Sequence, residues 1–322
     1  MRQRSMLLAV LGWIPLLTLA TMASQAADYP AKPIRLIVPL PPGSLMDLHA
    51  RLIAQKHRLG QPVVVDNRAG ADGRIGSELI AKAPADGYTL GIATIGTLVV
   101  APLIHANTGY DPVRSFAPVS RMTTAPYLIV VHPAVTAGSL KELIDLARAK
   151  PGLLNHATAN AFARLAGELF NSTAGIKTGN VPYQGPVAAT TDLISGRVQL
   201  MVEAPGVFRQ EIQLGRLHAL AVADSRRYAH LPQVPTTAEA GLAGFEVRTW
   251  FGVTAPAATP ARAIALWNNE INQILAMKDV TDSLATQGLE AAATTPQQFS
   301  DFARDERARW ARVVKQAGLK FD

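Results

Sequence analysis

The 322-residue sequence contains no cysteine. This absence excludes disulfides, thiolate metal sites, cysteine nucleophiles and acyl-cysteine lipid anchors. Charged residues make up only 17% of the chain and hydrophobic residues 48%, whereas intrinsically disordered chains are rich in charge and poor in apolar residues. The composition therefore predicts a folded protein of one or two domains.

The sequence also lacks the motifs of several protein classes. The segment GADGRIG, Gly70 to Gly76, does not have the G-x-G-x-x-G spacing of a dinucleotide loop, and neither H-E-x-x-H nor G-x-S-x-G occurs. The seven histidines are scattered, and the basic residues behind the formal charge of +7 are dispersed rather than clustered with aromatic residues. We therefore expect that the protein is not an enzyme and that it has no metal site, no cofactor and no nucleic-acid partner.

The N-terminus has the pattern of a secretory signal peptide. Arg2 and Arg4 precede an apolar run over about residues 6–20, which is followed by small residues up to Ala26. This order predicts a signal peptide over residues 1–26 that is cleaved after Ala26. The alternative is an uncleaved membrane anchor, because the run is close to bilayer-spanning length. We expect the mature protein in the periplasm.

Short apolar runs alternate with helical patterns along the rest of the chain. Ile34 to Val38 is a β-branched run that precedes a helical spacing of leucines, and Leu128 to Val131 begins a second series of the same kind. Such alternation predicts βαβ units. The length and rhythm favour two α/β domains over a (β/α)₈ barrel. The expected crossings between the domains are the extended segments Ala117 to Pro126 and Phe245 to Pro256.

Two strand-to-helix loops are built alike. They are PLPPGS, Pro39 to Ser44, and PYQGP, Pro182 to Pro186. A helix N-terminus carries unpaired N–H groups and a partial positive charge, so each loop is suited to bind a carboxylate or a phosphate. The alternative is ordinary capping, since Ser44 and Asp47 form a Ser-x-x-acid box and Pro186 fits the first helical position.

A series of ordered motifs extends over nearly the whole mature chain. They include DYPAKPIRLIVPLPPGSLMD (Asp28 to Asp47), LGQPVVVDNRAGADGRIGSE (Leu59 to Glu78), AKAPADGYTL (Ala81 to Leu90), VPYQG (Val181 to Gly185) and WFGVTAPAATP (Trp250 to Pro260). These motifs resemble those of the extracytoplasmic substrate-binding proteins of tripartite tricarboxylate transporters, the Bug family.

The resemblance implies two Rossmann-like α/β domains with the type II periplasmic-binding-protein (Venus flytrap) architecture. We expect one domain from residues 27–122 and 248–322, whose terminal helices could pack on the other domain, and a second from residues 123–247. The implied function is a monomeric receptor that binds a small carboxylate in the interdomain cleft and delivers it to the membrane permease subunits of the transporter. The alternatives are a periplasmic sensor acting with a signalling kinase and a secreted enzyme acting on a carboxylate.

Position by position, the resemblance also implies a set of ligand-binding residues. They are Leu40, Pro41, Pro42, Gly43, Ser44, Asp47, Thr94, Thr97, Thr158, Asn160, Tyr183, Gly185 and Glu203. Thr97 could equally cap a helix, and Tyr183 could equally be a packing residue. Ser44 stands where the family usually has a second glycine. The segment Asn155 to Phe170 is shorter and more apolar than usual, which favours a more apolar or bulkier solute.

Glu203 follows the apolar strand Val198 to Val202, at a position where many members of the family carry Asp near the pocket. A carboxylate beside an anion site would repel the ligand, increasingly so if it is buried. If Glu203 faces the cleft, we expect the ligand to bring an ammonium or another hydrogen-bond donor there. The alternative is that Glu203 pairs with an arginine such as Arg164 or is solvated at the rim.

Overall fold

The computed structural model describes residues 29–316. The strands within this range are β1 Ile34–Val38, β2 Val63–Asn67, β3 Thr89–Thr94, β4 Phe116–Pro126, β5 Leu128–Val131, β6 Asn155–Thr158, β7 Gly179–Pro182, β8 Leu200–Glu203, β9 His218–Val222, β10 Arg248–Pro256 and β11 Glu290–Ala291. The helices are α1 Leu45–Lys56, α2 Arg74–Ala81, α3 Ala101–Ile104, α4 Leu140–Ala149, α5 Ala161–Ala174, α6 Pro186–Ile194, α7 Arg209–Gln213, α8 Ala261–Leu275, α9 Lys278–Thr286 and α10 Pro296–Gln316.

The strands form two sheets with the same internal order. The first runs β11-β4-β10-β3-β1-β2 and the second β7-β6-β8-β5-β9. In the first sheet, β1 is parallel to β2 and β3, and β10 is antiparallel to β3 and β4. In the second, β6 is parallel to β7 and β8, and β5 is antiparallel to β8 and β9. The expected pair of α/β domains is confirmed, and β1 and β6 occupy equivalent positions.

The chain crosses between the sheets twice at adjacent points. It leaves the first sheet at the end of β4 and returns at the start of β10. The Tyr127 N–H donates to the Val247 carbonyl at 2.8 Å, and the Val247 N–H donates to Ala223 at 2.9 Å. The two segments expected to cross therefore lie mostly within the first sheet as β4 and β10, and only their inner ends connect the two halves.

The C-terminal helix contacts both halves of the molecule. In α10, the ring of Phe299 packs edge-to-face against Trp250 of β10, with centroids 5.5 Å apart. Farther along the same helix, Trp310 packs against Phe162 of α5 with centroids 5.2 Å apart. All four side chains are buried, so α10 contributes apolar area to the packing on both sheets.

Among residues 29–316, no helix combines the length and the apolar character that crossing a bilayer requires. The predicted signal peptide, residues 1–26, lies outside the described residues.

Candidate ligand-binding cleft

A cavity of about 630 Å³ lies between the two sheets. Its wall includes residues that follow strands β1 and β3 of the first sheet and residues that follow β6 and β8 of the second. Because β1 and β6 are equivalent, as are β3 and β8, the two halves present matching loops to the same space. A more open groove of about 740 Å³ runs along β9, but it lies at the edge of one sheet and away from these strand ends.

The N-terminus of α1 forms one part of the wall. The Ser44 hydroxyl accepts the Asp47 N–H at 3.3 Å, and the Asp47 carboxylate accepts the Gly43 N–H at 2.9 Å and Nε of Arg51 at 2.8 Å. The hydrogen bond from Arg51 is the main cause that lowers the pKa of Asp47. Leu45 and Met46, the first two residues of α1, line the cavity. The N–H groups at these helical positions have no partner within the helix.

The N-terminus of α5 forms the opposite part. The Asn160 side-chain oxygen accepts the Ala163 N–H at 2.8 Å and so caps the helix. Ala161 and Phe162, the first two helical residues, line the cavity as Leu45 and Met46 do. Two helix N-termini from different sheets therefore meet at one cavity, and each brings partial positive charge.

The turn after β3 is closed by two threonines. The Thr97 N–H donates to the Thr94 hydroxyl at 3.2 Å, and the Thr94 N–H donates to the Thr97 hydroxyl at 3.0 Å. Thr94 lines the cavity. Thr97 is buried and its hydroxyl is engaged with the backbone of this turn.

Six of the predicted ligand-binding residues line the cavity, namely Leu40, Gly43, Ser44, Thr94, Asn160 and Glu203. The other seven are not part of its wall, namely Pro41, Pro42, Asp47, Thr97, Thr158, Tyr183 and Gly185. Thr158 donates to the Asn180 side chain at 2.8 Å, and the Tyr183 hydroxyl donates to Asp192 at 2.9 Å. The ligand-binding role of all thirteen residues stays a prediction.

Several wall residues were not among those predicted. Thr286, Gln287 and Leu289 come from the end of α9 and the turn before β11, far along the chain from the recognised loops. No local motif marks them. Phe162 and Phe251 add aromatic surface, and Phe251 packs against the buried ring of His49 with centroids 5.1 Å apart. The wall is largely apolar, and within the described chain it includes neither lysine nor arginine.

Glu203 is a buried carboxylate in this wall. Its side chain sits at the end of β8 with the residue only 5% exposed. One oxygen, Oε1, accepts the Ala204 N–H at 2.9 Å, whereas Oε2 has no hydrogen-bond partner among the described residues. Burial raises the pKa of Glu203, and the Ala204 N–H, followed by the donor side chains of Tyr127 and Asn160, lowers it in part. The pKa of Tyr127 is raised well above its usual value, first by its own burial and then by Glu203.

Comparison with known proteins gives one consistent result. The model of the tripartite tricarboxylate transporter family receptor matches residues 50–319. The protein BugT of Bordetella pertussis is 40% identical over 98% of both chains. A structure of an R. palustris protein with adipate has a TM-score of 0.82 at 34% identity, covering 91% of this chain and 99% of that one. MatC of Rhodopseudomonas palustris with bound malate has a TM-score of 0.79 at 29% identity, covering 89% and 100%.

Proposed function

Because the chain belongs to the tripartite tricarboxylate transporter family of receptors, we propose that it captures a small carboxylate between its two α/β domains and delivers it to the permease subunits of such a transporter. The protein is a solute receptor and not an enzyme. Its family consists of periplasmic solute receptors, and the predicted signal peptide supports the same location for this chain. We propose residues 27–122 with 248–322 as one domain and residues 123–247 as the other, with the first domain extended to the end of β4 at Pro126, because this strand stays paired in the first sheet.

One observation carries this proposal: the N-termini of α1 and α5 line the same cavity from the two sheets. The backbone N–H groups of Leu45 and Met46 on one side, and of Ala161 and Phe162 on the other, have no partner within their helices. Helix ends of this kind bind carboxylates without a basic side chain. This explains how an anion could be held in a wall that has no lysine or arginine in the described chain.

The ligands of two similar proteins support a carboxylate as the solute. One neighbour was solved with adipate and another with malate. Each domain would hold one part of the solute, so that only a closed arrangement satisfies both sets of contacts and ligand shifts the population toward it. The largely apolar wall favours a solute with an apolar body.

The proposal is tested by a thermal-shift screen of the purified mature chain against aliphatic carboxylates, aromatic acids and amino acids, followed by calorimetry on the acids that stabilise it. We expect at least one acid to raise the melting temperature, because a ligand that binds only the folded state stabilises it. The matching primary amide, which lacks the charge, should have little effect. A screen in which no acid stabilises the chain would overturn the proposed function.

Delivery to a permease is tested separately in cells. Deleting the gene should abolish uptake of the identified acid, and a chain without residues 1–26 should fail to restore it. If uptake is unchanged while transcription of other genes loses its response to the acid, the chain acts as a sensor.

A further inference from the structure

Glu203 brings a buried carboxyl group to the α5 side of the cleft. The residue is 5% exposed and lines the cavity, and its Oε2 has no hydrogen-bond partner among the described residues. A buried oxygen without a partner costs free energy. A ligand that donates a hydrogen bond to this oxygen would remove that cost.

The groups that approach Glu203 carry no full positive charge, although the N-terminus of α5 contributes a partial one. Tyr127 approaches from the junction of β4 and β5, Asn160 from the N-terminus of α5, and the Ala204 N–H from the turn after β8. All three are uncharged donors, and none of them makes a hydrogen bond to Oε2 within 3.5 Å. Among the described residues, the cavity wall contains one further acidic residue, the exposed Asp72, and one histidine, His105.

The two helix ends therefore differ in what they can accept. At α1 the buried acid, Asp47, is turned to the Gly43 N–H and to Arg51 and is not part of the cavity wall. At α5 the acid, Glu203, is itself part of the wall and lies beside the capping residue Asn160. A ligand carboxylate fits the α1 end, whereas a second carboxylate at the α5 end would meet a like charge.

We propose that Glu203 is a specificity-determining residue, which selects a carboxylate whose other end carries a hydrogen-bond donor, best an ammonium group, over a dicarboxylate of the same length. The inference rests on the proposed function and names its substrate class. The donor binds Oε2 of Glu203, the ligand carboxylate binds the N–H groups at the start of α1, and the apolar body of the ligand contacts side chains such as Leu40 and Phe251. Like charges placed together in a binding site weaken association strongly, so the preference is expected to be roughly tenfold or more.

The test uses three matched probes on the whole mature chain: adipate, the ω-amino acid of the same carbon chain and the corresponding ω-hydroxy acid. Their affinities are measured by calorimetry for the wild type, for Glu203→Gln and for Glu246→Gln. Gln keeps the size of Glu203 and removes its charge. Glu246→Gln is the matched control, because it makes the same substitution at an exposed glutamate that is not part of the cavity wall.

We expect the wild type to bind the amino acid tightest, then the hydroxy acid, and adipate weakest. Glu203→Gln should lose the preference, because adipate binds more tightly and the amino acid more weakly, and Glu246→Gln should keep it. Equal or tighter binding of adipate by the wild type would overturn the inference. So would adipate binding that weakens steeply with rising pH, because Glu203 would then hold a second carboxylate as a neutral acid.

The failure of this inference and the failure of the proposed function are distinguishable. If the broad screen finds acids that bind but none with a donor is preferred over its dicarboxylate partner, the receptor function stands and the role of Glu203 is wrong. If no acid binds in either experiment, both the receptor function and the role of Glu203 are wrong.

Discussion

The backbone of Gly206, just after β8, lies against the carbonyl of Gln287, just after α9, so that a β-carbon on Gly206 would overlap that oxygen. The neighbouring Gly288 is equally close, since a β-carbon there would lie 2.6 Å from the Gly206 nitrogen. Gly206 follows a strand of the second sheet, and Gln287 precedes a strand of the first. Both line the cavity, so the two halves touch backbone to backbone at its edge.

We expect Gly206→Ala to weaken ligand binding by roughly tenfold to a hundredfold, because the added methyl group must push the two halves apart, and overpacking of this kind costs about 1–3 kcal/mol. Calorimetry with the tightest acid from the screen measures the change. Gly138→Ala is the matched control, since its nearest contact would be an ordinary 3.6 Å to Glu142. Equal affinities for the two variants would show that this contact plays no part in closure.

A side chain reinforces the same contact. Nη1 of Arg209, at the start of α7, donates to the Thr286 carbonyl at 2.7 Å, at the C-terminal end of α9. Arg209→Gln should shift the free protein toward a more open shape and weaken binding severalfold. Small-angle scattering with and without ligand measures the shape. Arg216→Gln is the control, because Arg216 pairs with Glu211 within the second half, and a similar opening in both variants would argue against a specific role for Arg209.

The N–H of Ala161 can be removed without breaking its helix. Ala161 is the first residue of α5, where proline is tolerated, and the preceding Asn160 has the extended backbone that a residue before proline requires, with φ −166° and ψ 174°. We expect Ala161→Pro to keep its fold and to lose roughly tenfold in affinity for a dicarboxylate such as adipate, whose second carboxylate lies at this helix end.

Two controls separate the lost donor from added bulk. Ala161→Val adds a side chain of similar size and keeps the N–H. Ala261→Pro makes the same change at the start of α8, where Ala261 follows Pro260 and is exposed. Binding that survives in Ala161→Pro, or is lost as much in Ala161→Val, would show that this N–H does not hold the ligand.

Helices α1 and α4 begin with the same capping arrangement, and of these two helix ends only that of α1 is at the cleft. Ser44 and Asp47 cap α1, while the Ser139 hydroxyl accepts the Glu142 N–H at 3.2 Å and Glu142 accepts the Gly138 N–H at 2.7 Å at α4. Ser44→Ala and Ser139→Ala should each cost about 1 kcal/mol of stability. Only Ser44→Ala should also weaken ligand binding, as calorimetry beside urea unfolding would show. Equal binding by both variants would restrict Ser44 to capping.

Two buried histidines predict a loss of stability in acid. Burial lowers the pKa of His49 and of His156 to about 4, against about 6.5 in the unfolded chain. As the pH falls from about 6.5 to about 4, the two histidines become protonated in the unfolded state while they stay neutral in the folded state. The free energy of unfolding therefore falls by at most about 3 kcal/mol per histidine. Urea unfolding of His156→Gln across this range should show a shallower decline than the wild type. If the free energies of unfolding of the wild type and of His156→Gln decline in parallel with pH, protonation of His156 does not destabilise the folded protein.

Local patterns were enough to predict much of the fold. The compact runs Ile34 to Val38 and Leu128 to Val131 are strands with those bounds, because β-branched residues between loops leave few alternatives. The apolar spacing over Ser139 to Ala149 likewise predicts a helix, and α4 spans Leu140–Ala149 with Ser139 as its cap. The two α/β domains follow from the alternation of such elements, and the ordered motifs identified the family.

The composition of the cleft could not be predicted in the same way. The loops PLPPGS and PYQGP are alike in sequence, but the strand equivalent to β1 in the second sheet is β6, and the helix end that follows it belongs to α5. Strand order decides this, and no short segment encodes it. Gln287 and Leu289 reach the cavity only through the approach of the two halves, which also lies beyond any local pattern.

The central claim is that the ligand binds at the helix N-termini formed by Leu45 and Met46 and by Ala161 and Phe162. It is tested most directly by the chemical shifts of these four backbone amides during a titration with the tightest-binding acid. A ligand can hold one carboxylate at each helix end, or one carboxylate at α1 and a donor beside Glu203. In both arrangements the resonances of Leu45 and Met46 should shift strongly, and those of Ala161 and Phe162 should change as the cleft closes. Shifts confined to the groove along β9, around Ser139 and His218, would contradict it.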